Sequence, residues 1–366
     1  YQGLTLFELG LYYSSFISFR KVLLTADDRN REVYEKAIKN AVIIMDRLNM
    51  VEKVGKALDQ LPAGFIPGSV AGLAHYAIGT YHFKQNNIDT AMSHLKSVNP
   101  ENQFYEKAHL FLGILLTRKK DYKEAIYYFN RVVEDTRGKR EMFPLQELAR
   151  LNLARSIYSS GDIDKSIEFY AQFLSSSPYW LTVLLEASWP LMRANDTTVS
   201  LGNLHTVTSP FYREDLVGEA YILRATILFS LCKYEEMRRT LNHFFVLYDP
   251  VVRAMQSEVT KLGAPDAFYH AYVSGKGLNF AFVNMVKRDD GINNNLKVLD
   301  LLRIERRNVA RFQRNDQMHR MAQLIDEAVR ALENEMGITL QRLHKRKLVE
   351  LLEQREQANY LKVEIV

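Results

Sequence analysis

Small and large apolar residues recur at fixed intervals through the middle of the chain. In five segments a small residue is followed twelve positions later by a second small residue, or by Met in one segment, and then at +16 and +19 by large apolar residues. The segments read Gly79/Ala91/Leu95/Val98, Gly113/Ala125/Phe129/Val132, Ala154/Ser166/Tyr170/Phe173, Ser188/Ser200/Leu204/Val207 and Ala225/Met237/Leu241/Phe244. Their first residues lie 34, 41, 34 and 37 positions apart, which is typical of stacked helix-turn-helix repeats. The pattern predicts an all-α protein with a solenoid of helix pairs.

A polar corner separates the two helices of each predicted pair. Two antiparallel helices approach closely only where one offers a small side chain to a large one on its partner, so we expect Gly113 to be buried against Ala125 and Phe129. Polar residues followed by an apolar one mark the turns between such helices. The corners are predicted near 85–88, 118–122, 159–163, 194–198 and 231–234.

At these residues the segments resemble the tetratricopeptide repeat (TPR) family. The resemblance is strong in 103–136 and good in 72–100 and 147–178, and it covers roughly half of the chain. It is weaker in 181–210 and 218–250. Met237 replaces a usual Ala, and Pro190 lies inside a first helix, where we expect a kink or a shortened helix. The resemblance implies TPR-like pairs that bind protein segments on their concave face.

The pattern divides the chain into three regions. Residues 1–68 are predicted to form an N-terminal helical segment, 69–250 the array of five pairs, and 251–366 a C-terminal helical region. Within 315–355 we expect one or two long helices, because Met321, Ile325, Ala328, Leu332, Met336 and Leu340 follow one helical face, which Gly337 interrupts. Such a helix either caps the end of the array or pairs with a partner helix. The alternation of apolar and charged residues in 361–366 predicts a strand that needs a partner.

Composition is consistent with a globular protein. The chain has 366 residues, of which 47% are hydrophobic, and no apolar run approaches the roughly 18–20 residues of a transmembrane helix. A single cysteine, Cys232, excludes an internal disulfide. Because the chain begins at Tyr1 and not at Met, we expect that an upstream segment was removed or lies outside this sequence. These features leave the cellular compartment open.

The sequence lacks motifs that predict catalysis. It has no pair of His residues four apart with an intervening Glu, no glycine-rich phosphate loop ending in Lys-Ser/Thr, and no Ser elbow of the form Gly-x-Ser-x-Gly. Gly275-Lys276-Gly277 reads as a loop, while His75 and His109 recur in first helices as packing residues. We therefore expect no enzyme activity, no cofactor and no metal site.

The first helix of each pair is expected to line the concave face of the array. The predicted partner-binding residues are Tyr76, Phe83, Leu110, Ile114, Leu151, Arg155, Tyr158, Leu185, Trp189, Met192, Ile222 and Phe229. This surface is mostly apolar, and only Lys107, Asn152 and Arg155 could serve a carboxylate clamp of the kind found in some TPR proteins. It predicts binding of an amphipathic helix or an apolar extended segment. Coverage of the groove by the chain's own 251–366 region stays open.

A second predicted surface is basic. Six arginines and two acids occur between 303 and 320, which suggests an alternative function as a binding module for a polyanion or glycan strand through this helix and the groove aromatics. No aromatic-interleaved basic module accompanies the arginines, so a nucleic-acid partner is not expected. Self-association into a homo-oligomer or a larger complex is also compatible with the long C-terminal helices.

A narrower resemblance concerns location. The runs 186–189, 209–212, 219–221, 232–234 and 248–250 are similar to those of cell-envelope TPR proteins of predatory and gliding bacteria. That resemblance implies an exported scaffold or assembly factor for surface or motility machinery, located in the periplasm, with a cytoplasmic location as the alternative. The leading hypothesis is a non-enzymatic scaffold that binds proteins in the concave groove.

Overall fold

A computed structural model describes residues 1–25, 31–62, 64–212, 215–311 and 316–364. Those residues form eighteen α-helices and short 3-10 turns, and no strand occurs among them. Helix pairs of TPR type follow one another along the middle of the chain, with further helices before and after them, so the fold is the predicted all-α solenoid. Across the same ranges, none of the helices combines the length and apolarity that crossing a bilayer requires.

The five predicted pairs are ten consecutive helices. They are α5 (Ala71–Lys84) with α6 (Ile88–Lys96), α7 (Tyr105–Arg118) with α8 (Tyr122–Asp135), α9 (Phe143–Ser159) with α10 (Ile163–Ala171), α11 (Trp180–Arg193) with α12 (Thr197–Val207), and α13 (Gly218–Ser230) with α14 (Tyr234–Leu262). Every corner lies where the sequence predicted it. The helices before the array are α1 (Gln2–Glu8), α2 (Tyr12–Thr25), α3 (Arg31–Arg47) and α4 (Val51–Asp59); those after it are α15 (Pro265–Ser274), α16 (Phe280–Lys287), α17 (Asp290–Ala310) and α18 (Asp316–Val363).

Each corner reverses through one residue in the left-handed region of backbone space. The φ angles are 60° at Asn86, 62° at Lys120, 95° at Gly161, 62° at Asn195 and 57° at Cys232. All five stand two positions before the first residue of the following helix, so the chain makes the same turn five times. Gly and Asn adopt this conformation readily, whereas other L-residues such as Lys and Cys are disfavoured there by about 1 kcal/mol. Cys232 is thus a turn residue, and its side chain is exposed.

Of the kink or shortened helix expected near Pro190, the shortening is wrong, and the kink stays a prediction. Helix α11 has 14 residues, the same number as α5 and α7, and it continues through Pro190 to Arg193. Pro190 lies in the last turn, where its carbonyl still accepts a hydrogen bond from the Ala194 N–H at 2.8 Å. The missing N–H of proline removes one helical hydrogen bond without ending the helix.

The chain forms two compact units. Unit 1 comprises residues 1–162 and 297–329, and unit 2 comprises 163–296 and the residues from 330 onward. The division proposed from the sequence, with boundaries after 68 and 250, stays a prediction.

A buried carboxylate joins the two segments of unit 1. Glu305 of α17 is 4% exposed and accepts the Ser14 N–H at 2.7 Å and the Tyr13 N–H at 3.0 Å. These N–H groups lie in the first turn of α2, where no carbonyl of the helix is available to accept them. Burial raises the pKa of the Glu305 carboxyl, and the hydrogen bonds from Ser14 and Tyr13 oppose that shift. Glu305 therefore serves as a helix cap supplied by a distant segment.

In unit 2 the C-terminal part of α18 packs along α14. The two helices run antiparallel, since His344 Nε2 lies 2.8 Å from Glu258 Oε2 and Arg355 Nε donates to Asp249 Oδ1 at 2.8 Å. Gly337 marks a close approach, because a Cβ atom there would lie 2.3 Å from the carbonyl oxygen of Pro265. Gly337 thus permits the contact of α18 with the start of α15. This segment of α18 covers the fifth helix pair, as a cap does.

The predicted strand at the end of the chain is wrong for residues 361–364. Helix α18 continues to Val363, and the Glu364 N–H still bonds the Tyr360 carbonyl at 3.2 Å. A helix satisfies its backbone groups within the segment, so no strand partner is needed. Ala358, one turn earlier, is fully buried and anchors this end of the helix. Residues 365 and 366 lie outside the described residues.

Candidate functional site

The predicted groove residues differ in how much surface they expose. Trp189 is 36% exposed. Seven others are half-buried: Phe83, Ile114, Arg155, Tyr158, Leu185, Met192 and Phe229. Four are buried: Tyr76, Leu110, Leu151 and Ile222. The four buried residues contribute to packing and offer a partner little surface, while the binding role of the others stays a prediction.

In unit 1 the inner aromatic residues already have partners within the unit. Tyr76 stacks on Phe104 with ring centroids 4.3 Å apart and planes inclined by 4°. Phe83 contacts the Phe111 ring at 4.7 Å, and the Arg118 guanidinium lies 4.7 Å from the centre of the Phe83 ring. These contacts tie the first helices of neighbouring pairs together. The inner face of α5 and α7 is therefore largely filled by its own side chains.

The residues considered for a carboxylate clamp are engaged in unit 1. Lys107 Nζ donates to both oxygens of Asp46, at 2.7 and 2.9 Å, and lies 5.5 Å from the Phe104 ring centre. The Asn152 side-chain amide donates to the Leu148 carbonyl at 2.8 Å. A clamp needs such groups free to receive a carboxylate, so the geometry does not favour that mode of binding.

In unit 2 a cleft with an apolar wall lies at the start of α11, and polar residues such as Ser175, Ser177 and Glu186 also line it. This cleft, called the α11 cleft below, has a volume of about 580 Å³. Its apolar wall includes Leu181, Leu185, Val217 and Met285, and an Arg288–Asp215 ion pair lies at its edge. Leu181 and Leu185 also pack against the core between α11, α12 and α13. The packing of that core fixes the apolar wall.

A second depression, the Trp189 pocket, lies between the inner face of α11 and α13 and the last turns of α18. It has a volume of about 240 Å³. Its lining residues are Trp189, Glu219, Ile222, Leu223, Thr226, Glu350, Glu353, Gln354 and Gln357. The helical frame had placed Trp189 and Ile222 on the inner face, and the structure brings them together with Glu219 and Thr226. Glu219 also lines the α11 cleft, so the two depressions adjoin.

Hydrogen bonds fix the polar residues of the Trp189 pocket. The indole N–H of Trp189 donates to Glu219 Oε1 at 3.0 Å. Glu350 accepts from Lys347 Nζ at 2.7 Å and from the Gln354 amide at 3.1 Å. The side-chain oxygen of Gln354 is buried and has no hydrogen-bond partner among the described residues. The pocket therefore offers acceptors and one aromatic face.

Sequence reasoning missed the residues that α18 contributes. Glu350, Glu353, Gln354 and Gln357 lie more than a hundred positions from Trp189, and nothing in their spacing indicates which part of the array they meet. The side chain of Gln354 reaches Gly218, where a Cβ atom would lie 2.2 Å from the Gln354 oxygen. A glycine at the start of α13 was the one local signal for this approach.

The predicted basic helix of 303–320 spans the end of α17 and the start of α18, and two of its arginines are paired with acids. Arg306 Nε donates to Asp326 Oδ1 at 2.8 Å, and Arg303 lies 3.9 Å from Asp300. Arg314 lies outside the described residues. Binding of a polyanion or a glycan by this helix stays a prediction.

Histidine rings cluster on the first helix pair without forming a metal centre. His75 Nδ1 and His94 Nδ1 are 3.0 Å apart, and burial lowers the pKa of both rings. His109 packs between Tyr105 and Tyr128. Throughout the described ranges, no group of three or more His, Cys, Asp or Glu side chains is arranged to hold a metal ion. His75 and His109 occupy packing positions between aromatic or imidazole rings.

Comparison with known proteins returns solved structures only. No protein-family model matches the chain, and no curated protein matches it. Apo RapI is 11% identical with a TM-score of 0.42, and the match covers 75% of this chain and 99% of RapI. A Podospora anserina protein described as a kinesin light chain with nearly identical TPR-like repeats is 14% identical with a TM-score of 0.40, covering 50% of this chain and 98% of that one.

A third match is the Rap conjugation gene regulator of plasmid pLS20, solved with the Phr* peptide. It is 12% identical with a TM-score of 0.37, and the match covers 97% of this chain and 96% of that protein. At these identities and TM-scores the similarities carry no argument about function.

Proposed function

We propose that the protein is a non-enzymatic scaffold that binds a segment of a partner protein on the inner face of α11 and α13. The observation that carries the proposal is Trp189, a large aromatic side chain that is 36% exposed in a pocket adjoining the α11 cleft through Glu219. Tryptophan is enriched among the residues that contribute most to binding at protein interfaces. The α11 cleft supplies room for an apolar side chain next to it.

The occupant that fits this surface is an amphipathic helix or an apolar extended segment. Leu181, Leu185 and Met285 would contact its apolar side, while Glu186 and Glu219 at the rim would contact polar groups. TPR-like arrays commonly expose such concave surfaces to their partners. We further propose, from the resemblance to cell-envelope TPR proteins, that the partner belongs to a surface or motility assembly in the periplasm.

Affinity capture from an extract of the source organism tests the proposal. The full chain, Trp189→Ala and Phe83→Ala would be immobilised in parallel at low and high salt, and captured proteins identified by mass spectrometry. We expect one protein to be retained by the full chain and Phe83→Ala at both salt concentrations and to be lost with Trp189→Ala. Equal capture by Trp189→Ala, or capture that disappears at high salt, would contradict an apolar interface centred on Trp189.

A further inference from the structure

We infer that the Trp189 pocket receives the guanidinium group of an arginine on the partner segment. This inference rests on the proposed function and specifies the chemistry of its partner. The pocket is lined by an aromatic side chain and three carboxylates, among other residues, and no Lys or Arg is among its described lining residues. That combination is complementary to a cation that carries several N–H donors.

The aromatic face is the first element. The indole N–H of Trp189 donates to Glu219 at 3.0 Å, so that edge of the ring is occupied, and the residue keeps 36% of its surface exposed. A cation over the face of Trp is attracted by the ring quadrupole, and guanidinium groups stack on this ring more often than ammonium groups. The planar Arg side chain therefore fits the open surface of Trp189.

The carboxylates are the second element. Glu350 is paired with Lys347 at 2.7 Å, and that ion pair balances its charge. The hydrogen-bond partner of Glu219 is the neutral indole, and Glu353 is exposed. Two of the three negative charges around the pocket are therefore not balanced by these contacts. An incoming cation would balance them at low desolvation cost, because the pocket is partly open to water.

The third element is the geometry of the donors. Gln354 is buried, and its amide is held by its hydrogen bond to Glu350 and by its contact with Gly218, so the carboxylates are the acceptors left for a ligand. A guanidinium has five N–H donors in one plane and can reach more than one carboxylate, whereas an ammonium has three donors at one point.

The test uses the full chain carrying Trp180→Phe, so that Trp189 is its only tryptophan. The probes are three synthetic amphipathic peptides with the same leucine-rich apolar face, which differ at one central position: arginine, lysine or citrulline. Citrulline has nearly the shape of arginine without its charge. Trp189 emission reports whether the pocket is occupied, and the anisotropy of labelled peptides gives each Kd. Circular dichroism confirms that each protein variant keeps its helix content.

We expect the arginine peptide to bind about tenfold more tightly than the citrulline peptide and to change Trp189 emission. It should also bind more tightly than the lysine peptide. Glu353→Gln should reduce that preference to about threefold or less, since it removes one of the two unbalanced charges. Glu356→Gln removes the same charge from an exposed position outside the pocket and should leave the preference unchanged.

Other outcomes separate the two proposals. Equal Kd values for the arginine and citrulline peptides, with a change in Trp189 emission for both, would overturn the arginine inference and leave the apolar groove intact. A lysine peptide that binds as tightly as the arginine peptide would overturn the selection of guanidinium. If none of the peptides binds, the inference fails, and the capture experiment with Trp189→Ala then decides whether the proposed function fails with it.

Discussion

The inner faces of α5 and α7 in unit 1 and of α11 and α13 in unit 2 follow the same sequence frame and differ in what their aromatic residues contact. In unit 1, Tyr76 stacks on Phe104, and Phe83 contacts Phe111 and Arg118. In unit 2, Trp189 contacts Glu219 through its N–H and leaves much of its ring open. The frame determines which residues point inward. The size and charge of the neighbouring inward residues determine whether the surface is filled or open.

This difference predicts that the two inner faces respond differently to substitution. Substitutions in the filled face of unit 1 should lower stability, because they remove contacts within the unit. Substitutions at the open face of unit 2 should lower binding and leave stability nearly unchanged. Four experiments examine this contrast.

The largest effect is expected at the close helix contact of the second pair. A Cβ atom at Gly113 would lie 2.5 Å from the Phe129 ring, which is fully buried. Gly113→Leu should overpack the pair and lower the free energy of unfolding by about 1–3 kcal/mol, measured by urea denaturation. Gly202→Leu is the matched control, since an added Cβ at Gly202 in α12 meets nothing within 4 Å. An equal loss in both variants would contradict the assigned contact.

The next effect is expected at the cap of α2. Glu305→Ala leaves the Tyr13 and Ser14 N–H groups without their acceptor, and it also removes the cost of burying a carboxylate. The net loss of unfolding free energy should be about 1–2 kcal/mol. The control Asp300→Ala removes an acid whose side chain is 74% exposed, on the same helix, and should change stability little. Hydrogen exchange of the first turn of α2 should rise only in Glu305→Ala; unchanged exchange there would show that the cap is dispensable.

The contrast between the faces is measured directly by two aromatic truncations. Phe83→Ala should lower the free energy of unfolding by about 1 kcal/mol through its lost ring and guanidinium contacts, with no loss of partner capture. Trp189→Ala should change stability by less and weaken capture by about 1–3 kcal/mol. The opposite order of effects would reverse the roles assigned to the two units.

The smallest effect concerns pH. Burial raises the pKa of Glu305 above the ordinary glutamate value of 4.5, so the folded protein holds this proton more tightly than the unfolded chain does. This tighter proton binding stabilises the folded protein fully at pH values below the ordinary pKa, and the stabilisation is lost as pH rises through the raised pKa. Relative to Glu305→Gln, which does not titrate, the wild-type protein should lose unfolding free energy as pH rises from about 4.5 towards neutrality. If the wild-type protein instead gained unfolding free energy relative to Glu305→Gln as pH rises, the hydrogen bonds to the carboxylate would have a larger effect on its pKa than burial has.

The sequence predicted the array more accurately than the ends of the chain. The frame that begins at Gly113 placed the α7–α8 corner correctly, because close helix packing demands small residues at fixed separations. The strand predicted for 361–366 is wrong for 361–364. Alternation with a period of two over so few positions also occurs within a helix whose other residues lie earlier in the chain. Local pattern could not show that α18 continues to Val363.

The candidate site was predictable only in part. The helical frame identified Trp189, Ile222 and Phe229 as inward-facing, since that property depends on position within a pair. It could not distinguish the filled face from the open one, which depends on contacts such as Phe83 with Phe111 between different pairs. Nor could it foresee Glu353 and Gln354, because their approach to α13 depends on how α18 packs against the fifth pair.

Site-specific photo-cross-linking in living cells tests the central claim, that a partner protein binds the inner face of α11 and α13, most directly. A benzophenone amino acid would replace Thr226, an exposed residue of the Trp189 pocket, or Arg118, an exposed residue beside Phe83 on unit 1. We expect a discrete cross-linked partner from position 226, none from position 118, and loss of the product when Trp189→Ala is added. A partner that cross-links from 118 and not from 226, or a product from 226 that persists without Trp189, would contradict the account.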